Sequence, residues 1–248
     1  MSDWAGVSTE DQRTDRLARL AAARLYLVCD ALPGGRELSE VLPGAIAGGV
    51  EIVQLRVKEG GQEGGWPEGE RPGDSAATAA LLEAAARAAR LCAEHGALFV
   101  VNDHPEIAVE AGADGVHVGQ EDMAVARVRA IVGPEMLVGL STHAPAEIDA
   151  VDPGLVDYIG VGPVHATPTK PGRAAVGIEL VRHAAAHANV PFFAIGGLDA
   201  RNVGAALDAG ASRVCVLRAI AEAQDPGRAA RELRGLLDAT PVSAPGRA

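Results

Sequence analysis

The chain has 248 residues, enough for one large domain or two small ones. Hydrophobic residues make up 48% and charged residues 22%, a globular composition rather than a disordered one. With 33 Asp and Glu against 22 Lys and Arg the formal net charge is -11, which argues against a general nucleic-acid or anionic-membrane binder but leaves room for a small anion held by a few local cations.

Residues 1–23 are polar at first and then helical, and read as an N-terminal extension or as a helix closing one end of the fold. From Arg24 onward, short β-branched runs alternate with Ala-rich stretches. Strands are expected at Leu25–Cys29, 51–57, 98–101, Gly115–Val118, 136–140, Tyr158–Val161, Phe192–Ile195 and 213–217. Segments such as 79–92 and 203–209 carry helical periodicity between them, often with a Gly near the end. Repeated strand–helix units imply a parallel sheet, and eight of them fit a closed (β/α)8 TIM barrel over residues 24–238. The alternative, an open doubly wound sheet, lacks a Gly-x-Gly-x-x-Gly helix opening.

Two stretches break the rhythm. Residues 59–77, rich in Gly, Glu and Pro, read as a long mobile loop after the second strand, and 239–248 as a disordered tail. Both tryptophans, Trp4 and Trp66, fall in irregular segments. Aromatic residues total only 3%, so the core must be built from Ala, Val, Leu and Ile. Cys29, Cys92 and Cys215 lie far apart in apolar runs without metal-type spacing, as expected of reduced core thiols in a cytoplasmic protein. No apolar stretch approaches the ~20 residues of a membrane span, and Met1-Ser-Asp-Trp-Ala-Gly lacks the pattern of a secretory signal.

The second strand is the most informative. In Val50-Glu-Ile-Val-Gln-Leu-Arg-Val-Lys58, residues two apart share a face. Val53, Leu55 and Val57 form an apolar face; the other runs from Val50 and Ile52 to Gln54, Arg56 and Lys58. Cations on an inward face are costly without a partner, so this strand is either a solvated edge or an anion site at the C-terminal mouth of a barrel. The third strand ends in Asn102-Asp103 before His104-Pro105, where Pro suits a first helical turn, and the fourth is followed by Gly119-Gln-Glu-Asp122. Asp103 and Asp122 are helix N-caps or a Mg2+ site beside a diphosphate. Ser141 and Thr142 follow the fifth strand as phosphate ligands or as a turn or cap. The loop after the sixth holds Thr167-Pro-Thr-Lys170, which can supply hydroxyl, backbone and cationic contacts to an anion. Gly196-Gly197, before Asp199 opens a helix, admit backbone N–H groups to a phosphate or make a tight turn, and Leu217-Arg218 ends the eighth strand. His104, His117, His143 and His165 lie near strand ends without His-x-x-x-His spacing to a neighbour, and read as surface or supporting residues. No Gly-x-Ser-x-Gly elbow or activated cysteine supports covalent hydrolysis.

Taken in order, these pieces form a specific pattern. Leu25-Tyr-Leu-Val, Val53-Gln-Leu-Arg-Val-Lys58, Val101-Asn-Asp103, Gly112-Ala-Asp-Gly-Val-His-Val-Gly-Gln-Glu-Asp122, Gly139-Leu-Ser-Thr-His143, Tyr158-Ile-Gly-Val-Gly-Pro-Val-His-Ala-Thr-Pro-Thr-Lys170 and Ala194-Ile-Gly-Gly197 together resemble the thiamine-phosphate synthase family, from about Leu25 to Ile220. The resemblance implies a transferase joining 4-amino-5-hydroxymethyl-2-methylpyrimidine diphosphate to a thiazole phosphate, its carboxylated form included, with release of diphosphate. It implies that Gln54, Arg56, Lys58, Asn102, Ser141 and Lys170 bind the pyrimidine diphosphate, with Arg56, Lys58, Ser141 and Lys170 assisting catalysis. It further implies that Asp103 and Asp122 hold Mg2+, and that Thr167, Pro168, Thr169, Gly197, Leu217 and Arg218 form the thiazole-phosphate site. The implied mechanism is dissociative. The long acidic 59–77 stretch and an arginine at 218, where the family often has serine, depart from the pattern. A thiazole tautomerase-like isomerase and a non-catalytic phosphate-ligand sensor are the alternatives, and a homo-oligomer is compatible with the sequence.

Overall fold

The computed structural model describes residues 9–57, 75–166 and 175–240. Eight parallel strands close into one barrel in sequence order: β1 (Leu25–Cys29), β2 (Ile52–Leu55), β3 (Leu98–Asn102), β4 (Gly115–Val118), β5 (Leu137–Thr142), β6 (Tyr158–Val161), β7 (Phe192–Ile195) and β8 (Val214–Val216). The helices are α1 (Thr9–Ala22), α2 (Leu38–Ala47), α3 (Ser75–His95), α4 (Pro105–Glu110), α5 (Val125–Val132), α6 (Pro145–Asp149), α7 (Gly177–His187), α8 (Val203–Asp208), α9 (Arg218–Ala221) and α10 (Pro226–Asp238). The barrel is therefore a TIM barrel, as the alternation of runs requires.

Strand alternation builds two apolar layers. Leu25, Leu27, Val53, Leu55, Phe99 and Val101 point outward and pack beneath the helices. Tyr26, Val28, Ile52, Leu98, Val100, Tyr158 and Phe193 fill the interior. Each residue sits fully out of water, and a buried aliphatic side chain contributes about 1.5–3 kcal/mol before entropy is counted. Val50 lies before β2 and packs in the outer layer, so the inward face of that strand begins at Ile52.

Helix α1 closes the end where the strands begin. Its Leu20 and the following Ala23 are buried against the interior aromatic cluster. Arg13 reaches the Pro134 carbonyl and Asp157, and Arg16 reaches Asp114 and the Glu135 carbonyl. The extension is thus tied to the loops feeding β4, β5 and β6.

Strand ends shift by a residue or two from the sequence reading, and three boundaries differ in ways that bear on its expectations. Helix α3 begins at Ser75, so residues 75–77 are helical rather than loop; the run Ser75-Ala-Ala-Thr-Ala-Ala carries strong helix formers immediately after Pro72-Gly-Asp74. Residues 59–74, with Trp66, lie outside the described residues. Strand β5 runs through Thr142 because Ser141 and Thr142 pair with Gly160 and Val161 of β6, so these hydroxyls are neither turn nor cap. Helix α8 begins at Val203, after a turn in which Asn202 Oδ1 accepts from the Asp199 N–H at 2.9 Å. At the C-terminus, the Thr240 carbonyl accepts from Arg24 Nη2 at 2.9 Å, and the rest of the expected tail, 241–248, lies outside the described residues.

Candidate active site

A cavity of about 420 Å³ opens at the C-terminal mouth of the barrel. Gln54, Arg56, Asn102, Ser141, Gly197, Leu217 and Arg218 all line it. Seven expected positions from five strand ends therefore meet in one space, and the solvated-edge alternative for the second strand is overturned. A closed barrel has no edge. Lys58, Thr167, Pro168, Thr169 and Lys170 lie outside the described residues.

The cavity floor is a chain of hydrogen bonds across the barrel interior. Gln54 Nε2 donates to the Tyr26 hydroxyl at 2.8 Å, which meets the Tyr158 hydroxyl at 3.0 Å. The Tyr158 hydroxyl lies 3.3 Å from His117 Nδ1, and His117 Nε2 lies 2.9 Å from Ser141 Oγ. Burial, foremost, pushes both tyrosine hydroxyls well above their ordinary range, so they stay neutral donors and acceptors. His117 is consequently a buried cavity residue, not a surface one. The packing needs Gly139: a Cβ there would lie 2.3 Å from Tyr158 Cζ and 2.5 Å from His117 Nδ1. The tyrosines were missed by sequence reasoning. The available signal was strand alternation, which puts Tyr26 on the inward face with Val28, and Tyr158 opposite.

At the rim, Asp103 and Asp122 come within hydrogen-bonding distance of each other. Asn102 Nδ2 donates to Asp103 Oδ2, and Asp122 Oδ2 accepts the Gly119 N–H at 2.7 Å. Burial, then the charge of Asp122 and the contact with it, raise the Asp103 carboxyl from 3.8 to about 7, while Arg56 and Asn102 pull it down. Asp103 also has φ +63°, the left-handed region, where a non-glycine side chain is strained by about 1 kcal/mol or more. Neither aspartate is an N-cap: α4 is preceded by His104 and α5 by Ala124, so the cap reading fails. Two carboxylates forced together beside a cationic cavity suit a divalent cation, since a metal removes the repulsion that burial creates.

On the opposite wall Gly196 and Gly197 take φ +108° and +64°. A Cβ on Gly196 would sit 2.5 Å from Pro163 Cα, so only glycine allows the β7 end to lie against the loop after β6. Asp199 and Arg201 pair at 2.6 Å on this rim, and hydrogen bonds from Arg201 lower the Asp199 carboxyl. Arg218 is exposed and lines both the main cavity and a smaller cleft with Asp30, Arg56 and Glu222. Thr142 is buried, with its hydroxyl donated to the Gly160 carbonyl at 3.0 Å, which leaves Ser141 as the hydroxyl of β5 that faces the cavity. Of the remaining histidines, His143 Nδ1 contacts the Gly162 carbonyl on the cavity wall, and His104 precedes α4. His165 Nε2 is buried without a partner among the described residues.

The fold and this convergence define a (β/α)8-barrel enzyme with its chemistry at the mouth. The family model described as thiamine monophosphate synthase matches residues 25–220. A thiamine-phosphate synthase of Mycolicibacterium paratuberculosis is 50% identical over 206 residues, 83% of this chain and 89% of the relative. One from Mycobacterium bovis is 46% identical over 90% of this chain and 98% of its own length. The chain spans only 57% of the Gloeobacter violaceus relative, at 49% identity over 86% of this chain. Among solved structures, thiamine phosphate pyrophosphorylase from Pyrococcus furiosus superposes with TM-score 0.73 at 27% identity, over 88% of this chain and 96% of that one. A 3-hexulose-6-phosphate synthase from Salmonella typhimurium, at 18% identity and TM-score 0.62, shares the fold. The chain belongs to the thiamine monophosphate synthase family, and is a transferase that forms thiamine phosphate.

Proposed function

We propose that the mouth cavity joins 4-amino-5-hydroxymethyl-2-methylpyrimidine diphosphate to a thiazole phosphate by dissociative substitution. The observation that carries this reading is the meeting of Gln54, Arg56, Asn102 and Ser141 on one cavity wall, beside the Asp103–Asp122 pair. In the reaction the C–O bond between the pyrimidine methylene and diphosphate breaks, and the electron pair leaves with the diphosphate. The thiazole nitrogen lone pair then forms the C–N bond to the pyrimidine methylene cation. No protein nucleophile is needed.

Arg56, with Lys58 and Lys170, holds the negative charge that grows on the departing diphosphate. Ser141 and Asn102 orient its oxygens, and Gln54 contributes from the cavity floor. Mg2+ bound by Asp103 and Asp122 would supply a further positive charge to the same oxygens. The thiazole phosphate is assigned to the opposite wall, at Gly197, the Leu217–Arg218 end of β8 and Thr167, Pro168 and Thr169. Backbone N–H groups beside a residue without Cβ approach a phosphate closely there. The two acids favour this reaction over a thiazole tautomerase, which has no diphosphate to bind, and over a sensor, which needs no leaving-group stabilisation. A small-molecule substrate pair, a cytoplasmic setting with three free buried thiols, and Mg2+ dependence complete the reading.

Supplying both substrates with Mg2+ and following diphosphate and thiamine phosphate tests it. Equimolar appearance of both products is expected. Isomerisation of the thiazole without diphosphate release, or binding without turnover, would replace it.

A further inference from the structure

Outside the mouth, the clearest cluster of metal-ligating groups lies on the outer ring of helices. His183 and His187 stand one turn apart on α7, with rings stacked at 4.3 Å between centroids and 18° between planes. Asp149, the last residue of α6, places Oδ1 2.7 Å from His183 Nε2. One ligand atom from each residue lies within 4.8 Å of the other two. We propose that Asp149, His183 and His187 form a binding site for a borderline transition-metal ion such as Zn2+, bridging α6 and α7.

The chemistry of the donors favours Zn2+ over Mg2+. Two imidazoles and one carboxylate match a nitrogen-rich set, whereas Mg2+ takes oxygen ligands. Metal–ligand bonds of roughly 2.0–2.2 Å put tetrahedral donors roughly 3.3 Å apart, so small side-chain rotations from the present positions suffice. Residues at i and i+4 share a helix face, so α7 presents both imidazoles to the ion without backbone change. The helix pair is also held in register. Leu180, Val181 and Ala184 bury the inner face of α7, Ile148 buries that of α6, and Asn189 Nδ2 donates to the Val151 carbonyl at 3.0 Å just beyond both helix ends. About 23% of the His183 side chain and 51% of Asp149 remain open to water, and His187 is exposed, which leaves coordination positions for solvent.

The site lies at the end of the barrel away from the mouth. Asp149 and His187 end helices that lead into the starts of β6 and β7, opposite the strand ends that carry the cavity. An ion there would fasten α6 to α7 and add to stability by binding only the folded chain. It would not enter the reaction, and the inference does not depend on the reading of the mouth.

The test is calorimetric titration of the full chain, free of any histidine tag and stripped of metal, with ZnCl2 in excess Mg2+. One equivalent of Zn2+ is expected to bind the wild type and Asp103→Asn alike. His187→Gln should lose that binding, Asp149→Asn should weaken it at least tenfold, and both should keep the wild-type melting temperature in metal-free buffer and the rate of thiamine phosphate formation. Co2+ in place of Zn2+ should give visible absorption bands in the wild type that are missing in His187→Gln. Equal Zn2+ binding by the wild type and His187→Gln, or binding lost in Asp103→Asn instead, would overturn the proposal.

Discussion

The two ends of the barrel treat buried carboxylates in opposite ways. At the closed end Asp157, with 3% of its side chain exposed, accepts from Arg13 Nη2 and Arg129 Nη2, each at 2.7 Å, and from the Val138 N–H at 2.8 Å. Its charge is met on three sides within the fold. At the mouth Asp103 is set against a second carboxylate, Asp122, on a strained backbone. The first arrangement stabilises the protein by itself. The second costs stability as it stands, which is the usual mark of a site shaped for a ligand rather than for folding. Catalytic sites sit at the C-terminal ends of barrel strands, so charge at the other end is free to serve the scaffold.

Breaking the closed end should give the largest effect on stability. Asp157→Ala leaves Arg129, with only 14% of its side chain exposed, without its carboxylate, and removal of one partner of a buried pair costs about 3–5 kcal/mol. For a chain of this size a melting temperature lower by roughly 10 °C is expected, with activity per folded molecule retained. A shift of only a degree or two in differential scanning calorimetry would mean that the arginines find water easily and the two ends differ less than their contacts imply.

At the mouth the pattern should reverse. On the proposed reading, Arg56→Ala and Lys58→Ala each remove a charge-assisted contact to diphosphate worth about 1.5–3 kcal/mol; a tenfold to hundredfold loss of kcat/KM is expected, with the melting temperature within a degree or so of wild type. Wild-type kinetics in both variants would take the diphosphate off this wall.

The acid pair gives a sharper contrast, because stability and activity should move in opposite directions. With Asp103 raised from 3.8 to about 7, the folded protein holds a proton that the unfolded chain has released, and loses stability as pH rises through that window. Asp103→Asn lacks this loss. In Mg2+-free buffer at pH 8 it should melt a few degrees above wild type, with the gap closing toward pH 4, whereas Mg2+ should stabilise wild type only. Its activity, and that of Asp122→Asn, should fall and lose the wild-type Mg2+ dependence. Thermal melts at several pH values with and without Mg2+ check the sign; a variant less stable than wild type at pH 8 contradicts it.

Smaller effects are expected farther along the rim. If Arg218 contacts the thiazole phosphate, Arg218→Ala raises its KM by roughly tenfold, Arg218→Ser does not restore it, and the KM for the pyrimidine diphosphate stays constant. Unchanged thiazole-phosphate KM in both variants would turn the arginine toward Asp30 or Glu222 and leave the phosphate to backbone N–H groups. The smallest effect belongs to the thiols. Burial, above all, pushes Cys92 up to about 12 and Cys29 and Cys215 higher still, so none forms thiolate at pH 8. A thiol reagent should modify none of them in the native protein and all three after denaturation.

The alternation of β-branched runs with Ala-rich stretches was enough to derive eight strands and their order, because burying both faces of a parallel strand demands continuous apolar sequence and a helix after each. The inward switch from Ile52 to Gln54 and Arg56 was equally legible, since strand alternation is local. Lys58 and the Thr167-Pro-Thr-Lys170 run carry the same kind of local signal, and their part in the site rests on it. What distance in the chain separates, only closure of the barrel could join. The Tyr26 and Tyr158 hydroxyls meet across 132 residues, and Asp157 draws on Arg13 from a helix that precedes every strand. Local periodicity shows which way a side chain points. Whether a carboxylate meets an arginine, as Asp157 does, or another carboxylate, as Asp103 does, depends on which strand ends become neighbours, and that decides whether its charge stabilises the fold or opposes it.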